Sequence, residues 1–157
     1  LVELVVDRYG DDLSGHTFAV WGLAFKPETD DMREAPSLTT IRELVERGAS
    51  IRAHDPEAEH EAERHFSDLL EAGSLELVER NYDALEGANA LLILTEWQPY
   101  RRPDFERMAS LLSEPTVFDG RNLWDPEKMA ERGFSYTSIG RRPVTPLRAV
   151  SLKTVRA

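Results

Sequence analysis

Apolar residues along this chain alternate between unbroken runs and helical spacing. Leu1, Leu4, Val5 and Val6, followed by Asp7-Arg8-Tyr9-Gly10, read as the last turns of an amphipathic helix, and no capping residue precedes the pattern. Thr17-Phe18-Ala19-Val20-Trp21-Gly22-Leu23-Ala24 is a continuous apolar run between Gly15 and Lys26-Pro27, as expected of a strand buried on both faces. Pro36 then suits a helix start, Leu38, Ile41, Leu44 and Val45 repeat at helical spacing, and Gly48 stands where the helix should stop. The remaining pattern predicts a strand over 50–54, a helix over 57–66 opened by Asp55-Pro56, a weaker strand over 75–78 and a short helix over 82–86. Strands over 90–94, 116–118 and 134–138 follow, with helices near 104–112 and 125–132 between them. Regular alternation of strand and helix predicts an α/β fold: a Rossmann-like parallel sheet with helices on both faces, a three-layer sandwich. From Arg141 to Ala157 no periodic apolar pattern remains, and this stretch reads as a tail that needs a partner surface or stays mobile.

Length and composition narrow the picture. A chain of 157 residues with 41% hydrophobic content is the size of one domain and buries a core without staples. Acidic residues outnumber basic ones 29 to 19, and a net charge of -10 opposes non-specific attraction to nucleic acid or to an anionic membrane. An anionic ligand therefore needs a local basic site. There is no cysteine, which excludes a disulfide, a thiolate metal site and a cysteine nucleophile within these residues. The apolar run from Ala88 to Leu94, interrupted by Asn89, is far too short to span a membrane, and the first residues lack the features of a signal peptide, so a cytoplasmic protein is the simplest expectation.

An open parallel sheet binds ligands beyond the carboxyl ends of its strands. Three loops fall there: Phe25 to Arg33, Thr95-Glu96-Trp97, and Asp119-Gly120-Arg121-Asn122. Lys26, Arg33 and Arg121 can converge on one anion, a lysine point charge and arginine forks suiting a phosphorylated, hydroxyl-rich ligand. Equally, these are solvated loop charges, Arg33 pairing with Asp30 or Glu34 and Arg121 with Asp119. The first loop keeps only Gly22 of a Gly-x-Gly-x-x-Gly turn, which argues against a self-contained NAD site. Asp55, at a strand end, is read as a helix cap rather than a ribose ligand. The four histidines show no metal-ligand spacing, and Asp30-Asp31 reads as a loop-fixing pair rather than a cation site. Trp21 is assigned to the core; Trp97 either packs in an interface or lines the crevice.

At these same loops the chain resembles the UDP-glucose/GDP-mannose dehydrogenase family, in its carboxyl-terminal domain. The stretch Gly22-Leu23-Ala24-Phe25-Lys26-Pro27-Glu28-Thr29-Asp30-Asp31-Met32-Arg33-Glu34-Ala35-Pro36-Ser37 is similar to the family's first strand, loop and helix start. Gly87-Ala88-Asn89-Ala90 leading to Thr95-Glu96-Trp97, then Phe118-Asp119-Gly120-Arg121-Asn122, and Gly133-Phe134 to Ile139-Gly140-Arg141 match in the same order, covering residues 1–141. Asn89 departs from the family's frequent aspartate. The forms of the second and third motifs resemble the UDP-glucose branch. That resemblance implies an NAD-dependent, four-electron oxidation of UDP-glucose to UDP-glucuronate through a thiohemiacetal and a thioester on a cysteine outside these residues. It also implies an amino-terminal domain that holds most of the NAD, a central helix that supports a homo-oligomer, and a carboxyl-terminal domain that closes over the UDP-sugar. Carried over residue by residue, Phe25, Lys26 and Arg121 bind the substrate, Arg33 reaches the NAD cofactor, and the chain itself supplies no catalytic residue and no metal ligand.

On that resemblance, residues 1–13 are the end of the linking helix, 14–141 the UDP-sugar-binding domain and 142–157 a tail. Because the helix over 1–9 then lacks its natural neighbours, its apolar side predicts self-association. Two other readings compete: a binding module that captures a nucleotide sugar without catalysis, and an α/β signalling domain with Asp30-Asp31 as a phosphoacceptor pocket. The second lacks the late-strand lysine such a pocket needs.

Overall fold

The apolar run after Gly15 is the centre of a sheet because its side chains tolerate burial on both faces. In a computed structural model that describes residues 1–147, it forms β1 (Thr17–Trp21), in which Phe18 to Trp21 are all buried. β1 pairs in parallel with β2 (Ser50–His54) on one side and β4 (Ala90–Ile93) on the other. With β3 (Leu75–Leu77), β5 (Thr116–Asp119) and β6 (Ser135–Ser138), the order is β3-β2-β1-β4-β5-β6, every pairing parallel. Strand order reverses between β1 and β4. Right-handed crossovers therefore place the helices of the two halves on opposite faces, and the crevice falls at the carboxyl ends of β1 and β4. The predicted Rossmann-like sheet is present, and the largest difference in strand length is at β1, which ends at Trp21 because Gly22 adopts φ 97° and turns the chain out of the sheet.

Helix α1 spans Val2–Tyr9 and α2 spans Pro36–Glu46, which buries Ser37, Thr40, Ile41 and Leu44. One helix was expected over 57–66; two form, α3 (Glu59–His65) and α4 (Ser67–Glu71), with the buried Phe66 between them. The start moves to Glu59 because the Asp55 carboxylate accepts the amides of Glu57 and Ala58, at 2.9 and 2.8 Å, and holds those residues in a turn. Short 3-10 helices form at Asn81–Leu85, near the helix expected over 82–86, and at Gln98–Tyr100, where none was foreseen. α5 (Phe105–Leu111) and α6 (Pro126–Glu131) begin where Asp104 and Asp125 cap the amides of Arg107 and Lys128.

One expectation for the ends of the chain needs correction. The apolar side of α1 is not bare: Val2 and Val5 are buried, Leu1, Leu4, Val6 and Tyr9 pack on the same core, and the Tyr9 ring meets Phe18 edge-on at 5.4 Å. The argument for self-association from that face therefore falls. The start of the tail is also structured. Val144 and Tyr136 exchange backbone hydrogen bonds of 3.0 and 2.9 Å in an antiparallel bridge that covers the edge of β6. Residues 148–157, the rest of the expected tail, lie outside the described residues. Among the described residues no helix is long and apolar enough to cross a membrane, and no cluster of His, Asp or Glu is arranged to hold a metal.

Candidate functional site

Asp55 organises the crevice at the end of β2. Its Oδ2 accepts the backbone amides of Leu23 and Ala24 at 2.7 and 2.9 Å and the Trp97 indole N–H at 3.0 Å. Its Oδ1 takes the Glu57 and Ala58 amides, so a carboxylate only 7% exposed has five donors and no unsatisfied charge. That arrangement decides whether the turn after β1 suits NAD. In a dinucleotide-binding turn the amides following the strand face a pyrophosphate. Here Asp55 occupies those of Leu23 and Ala24, and Gly22 packs so closely on Thr95 that even a Cβ would collide with it. The first turn of this domain does not fit the pyrophosphate of NAD. Asp55 is accordingly a loop anchor and not the helix cap expected of it: it fixes a turn ahead of α3, whose N-cap, Ala58, has no side-chain cap. Trp97, left open between interface and crevice, is buried and belongs to this anchor.

Beyond Ala24 the first loop rises into solvent. The Phe25 amide donates to the Asp31 carbonyl at 3.0 Å and closes the segment, while Glu28 and Glu34 sit at φ 64° and 58°. Phe25 is 38% exposed, and the Lys26 ammonium lies 5.3 Å from the centre of its ring. Among the described residues Lys26 has no ion-pair partner. Arg33 does have one, though not Asp30 or Glu34: its Nη2 stands 2.7 Å from Asp31 Oδ2, and Nε and the backbone N–H also reach that carboxylate. The hydrogen bonds from Arg33 draw the Asp31 pKa down to about 2. Asp31, read as loop-fixing, has that role. Phe25, Asp31, Arg33 and Glu34 line a cavity of about 490 Å³.

The loops after β4 and β5 are built on buried anchors. Thr95 Oγ1 donates to the Ala24 carbonyl at 2.5 Å, tying the β4 loop to the β1 loop. Asp119, fully buried, accepts the Arg121 amide at 2.8 Å, the Leu123 amide at 2.7 Å and the Tyr136 hydroxyl at 2.5 Å. Burial, and then that bond to Asp119, push the Tyr136 pKa upward. Arg121 was expected either on a ligand or paired with Asp119. Only its backbone meets Asp119; its guanidinium forms a two-point pair with Glu96, Nε to Oε2 at 2.5 Å and Nη2 to Oε1 at 3.1 Å. The pairing lowers the Glu96 pKa and raises that of Arg121. Arg121 also lines a cavity of about 190 Å³ with Leu1, Pro36, Thr40, Leu94, Gly120 and Ile139.

Phe25, Lys26, Arg33 and Arg121 thus all follow carboxyl ends of parallel strands and share one edge of the sheet, as expected. They do not share one cavity: Phe25 and Arg33 line the first, Arg121 the second. Sequence reasoning missed Glu96 and Asp119 as individual residues. An acidic residue at or shortly after the end of each of β2, β4 and β5 was visible, but which of them faces an arginine and which faces backbone amides depends on the side-chain direction at each strand end.

Comparison with known proteins supports the same assignment. The family model described as UDP-glucose/GDP-mannose dehydrogenase family, UDP binding domain, matches residues 19–126. A UDP-glucose 6-dehydrogenase of Pseudomonas aeruginosa is 43% identical over 141 residues, covering 90% of this chain and 31% of that protein. One from Bacillus subtilis is 37% identical over 150 residues, 96% of this chain and 33% of the relative. A solved UDP-glucose dehydrogenase of Pyrobaculum islandicum superimposes with a TM-score of 0.68 at 34% identity, over 87% of this chain and 28% of that one. The chain spans about a third of the length of the curated relatives it matches. With the crevice, the strand order and these matches in agreement, the chain belongs to the UDP-glucose/GDP-mannose dehydrogenase family, as its UDP binding domain.

Proposed function

We propose that this chain is the UDP-sugar-binding domain of an NAD-dependent UDP-glucose 6-dehydrogenase, which oxidises UDP-glucose to UDP-glucuronate. The observation that supports this reading is the emergence of Lys26 and Arg121 from the same sheet edge, within the residues that match the UDP binding domain. In this reading Lys26 offers a compact charge and Arg121 a planar fork to the diphosphate, Phe25 flanks the sugar nucleotide, and Arg33 reaches toward an NAD held by an amino-terminal domain. Residues 1–13 belong to the linking helix, 14–141 to the binding domain and 142–157 to a tail. The whole enzyme is a cytoplasmic homo-oligomer.

The chain alone is expected to bind but not to turn over. It contributes no thiol for a covalent intermediate, and Asp55 fills the turn where a dinucleotide would need free amides. Calorimetric titration with UDP-glucose should give a weak, salt-sensitive affinity, reduced in Lys26→Ala and in Arg121→Ala while the melting temperature of Lys26→Ala stays put. Indistinguishable heats from the three proteins would leave these as solvated loop charges. NADH formed from UDP-glucose and NAD by the purified chain would overturn the claim that catalysis needs further residues.

A further inference from the structure

Glu96 and Arg121 form the least exposed ion pair among the described residues, with side chains 23% and 34% accessible. Both partners stand on fixed backbone. Glu96 lies between Thr95, bonded to the Ala24 carbonyl, and Trp97, bonded to Asp55. Arg121 is fixed through its own amide by Asp119. Surface pairs between long, free side chains contribute little because ordering both offsets the attraction; here the backbone under each is already held, and the ordering that remains is that of the two side chains.

The chemistry lies in which edge of the guanidinium is used. A guanidinium has two edges that accept a two-point acid: one made by Nε and Nη2, the other by Nη1 and the second hydrogen of Nη2. Glu96 takes the first. Among the described residues nothing bonds to Nη1, so the second edge is open, and the side chain borders a cavity lined chiefly by apolar groups such as Leu1, Leu94 and Ile139.

We propose that Glu96 is a positioning residue for Arg121: it holds the Nε/Nη2 edge, presents the Nη1/Nη2 edge to the diphosphate of a UDP-sugar, and stays bound to Arg121 in the complex. This rests on the reading that Arg121 binds the ligand. Glu96 acts in two opposing directions. Its charge repels a diphosphate, yet by restraining a rotamer-rich side chain before binding it removes an ordering cost that the ligand would otherwise meet. Positioning dominates, because a mobile Arg121 forfeits both alignment and the two-point contact.

Glu96→Gln tests this with little change of shape. A glutamine presents one acceptor and one donor, so it cannot hold the Nε/Nη2 edge at both points. Calorimetry with UDP should show affinity falling about threefold to tenfold in Glu96→Gln, the scale of one side chain's lost order. In an Arg121→Ala background the same change should leave affinity equal or slightly higher, because only the repulsion is removed. A purely structural role would weaken binding equally in both backgrounds, and that outcome, or unchanged or tighter binding in Glu96→Gln alone, overturns the proposal. Should Arg121→Ala bind too weakly to complete the cycle, the Arg121 Nε–H resonance decides: it should persist at saturating UDP and shift in Glu96→Gln, whereas its loss on adding UDP means the ligand displaces Glu96. A native chain that gives no UDP heat refutes the binding assignment itself, a result separate from any difference between variants.

Discussion

The loops after β1 and β5 both carry a basic residue at the same sheet edge, but they are held in opposite ways. The β5 loop is anchored from below: buried Asp119 gathers the amides of Arg121 and Leu123 and the Tyr136 hydroxyl, and Glu96 restrains the Arg121 side chain from beside it. The β1 loop is anchored at its base, where Asp55 takes the Leu23 and Ala24 amides and the Thr95 hydroxyl donates to the Ala24 carbonyl, and at its far end by the Met32 side chain buried in the core. From Phe25 to Glu34 it is closed by bonds within itself, Phe25 to Asp31 and Arg33 to Asp31, and its charged tips are exposed. One edge of the sheet thus joins a loop whose arginine is held by two carboxylates to a loop whose charged tip is free of such anchors. Arg121 is held in one orientation by Glu96, whereas among the described residues Lys26 has only the Phe25 ring beside it.

The largest test of this contrast removes the buried anchor. Asp119→Ala removes an acceptor shared by four donors and leaves the Arg121 and Leu123 amides without one in a water-poor site, and a loss of about 3–4 kcal/mol in urea unfolding is expected. A loss below about 1 kcal/mol would mean that the β5 loop is no better anchored than the β1 tip. Gly22→Ala strikes the base of the β1 loop: the residue sits at φ 97° against Thr95, so strain and collision add, and about 2–4 kcal/mol should be lost. The smallest effect belongs to the exposed tip. In Arg33→Ala the melting temperature should hardly move, while the Asp31 carboxyl, drawn down to about 2 by Arg33, should return toward its ordinary value of about 3.9 in a carbon-13 NMR titration. Because the folded pKa lies below the unfolded one, whatever stability this pair contributes is present above pH about 4 and lost as pH falls toward 2. An unshifted Asp31 in the native chain would remove the pair that shapes the tip.

Much of this was legible along the chain. Phe18-Ala19-Val20-Trp21 and Ala90 to Leu94 marked strands buried on both faces, and Asp104, Asp125, Pro36 and Gly48 marked helix ends, because these signals act within one turn of backbone. Sheet-edge placement of Lys26 and Arg121 followed from alternation alone, since parallel strands carry all their exits to one side. Less was visible where partners are distant in sequence. The split of α3 from α4 turns on burial of Phe66, and the end of β1 on the contact between Gly22 and Thr95. In the alternative of solvated charges Arg33 and Arg121 had neighbouring carboxylates as partners; Arg33 does bond a neighbour, Asp31 rather than Asp30 or Glu34, whereas Arg121 bonds Glu96, 25 residues away.

What the sequence by itself determined, then, was the order and type of most elements and the set of loops that can meet a ligand. Hydrophobic period and capping residues act locally and carry that information in every short window. Which carboxylate anchors backbone and which restrains an arginine was decided only in three dimensions. Asp55, Glu96 and Asp119 each stand at or shortly after a strand end, but their roles are set by whether folding brings amides, a hydroxyl or a guanidinium to each, together with the water exclusion that makes an unmet charge too costly to leave there.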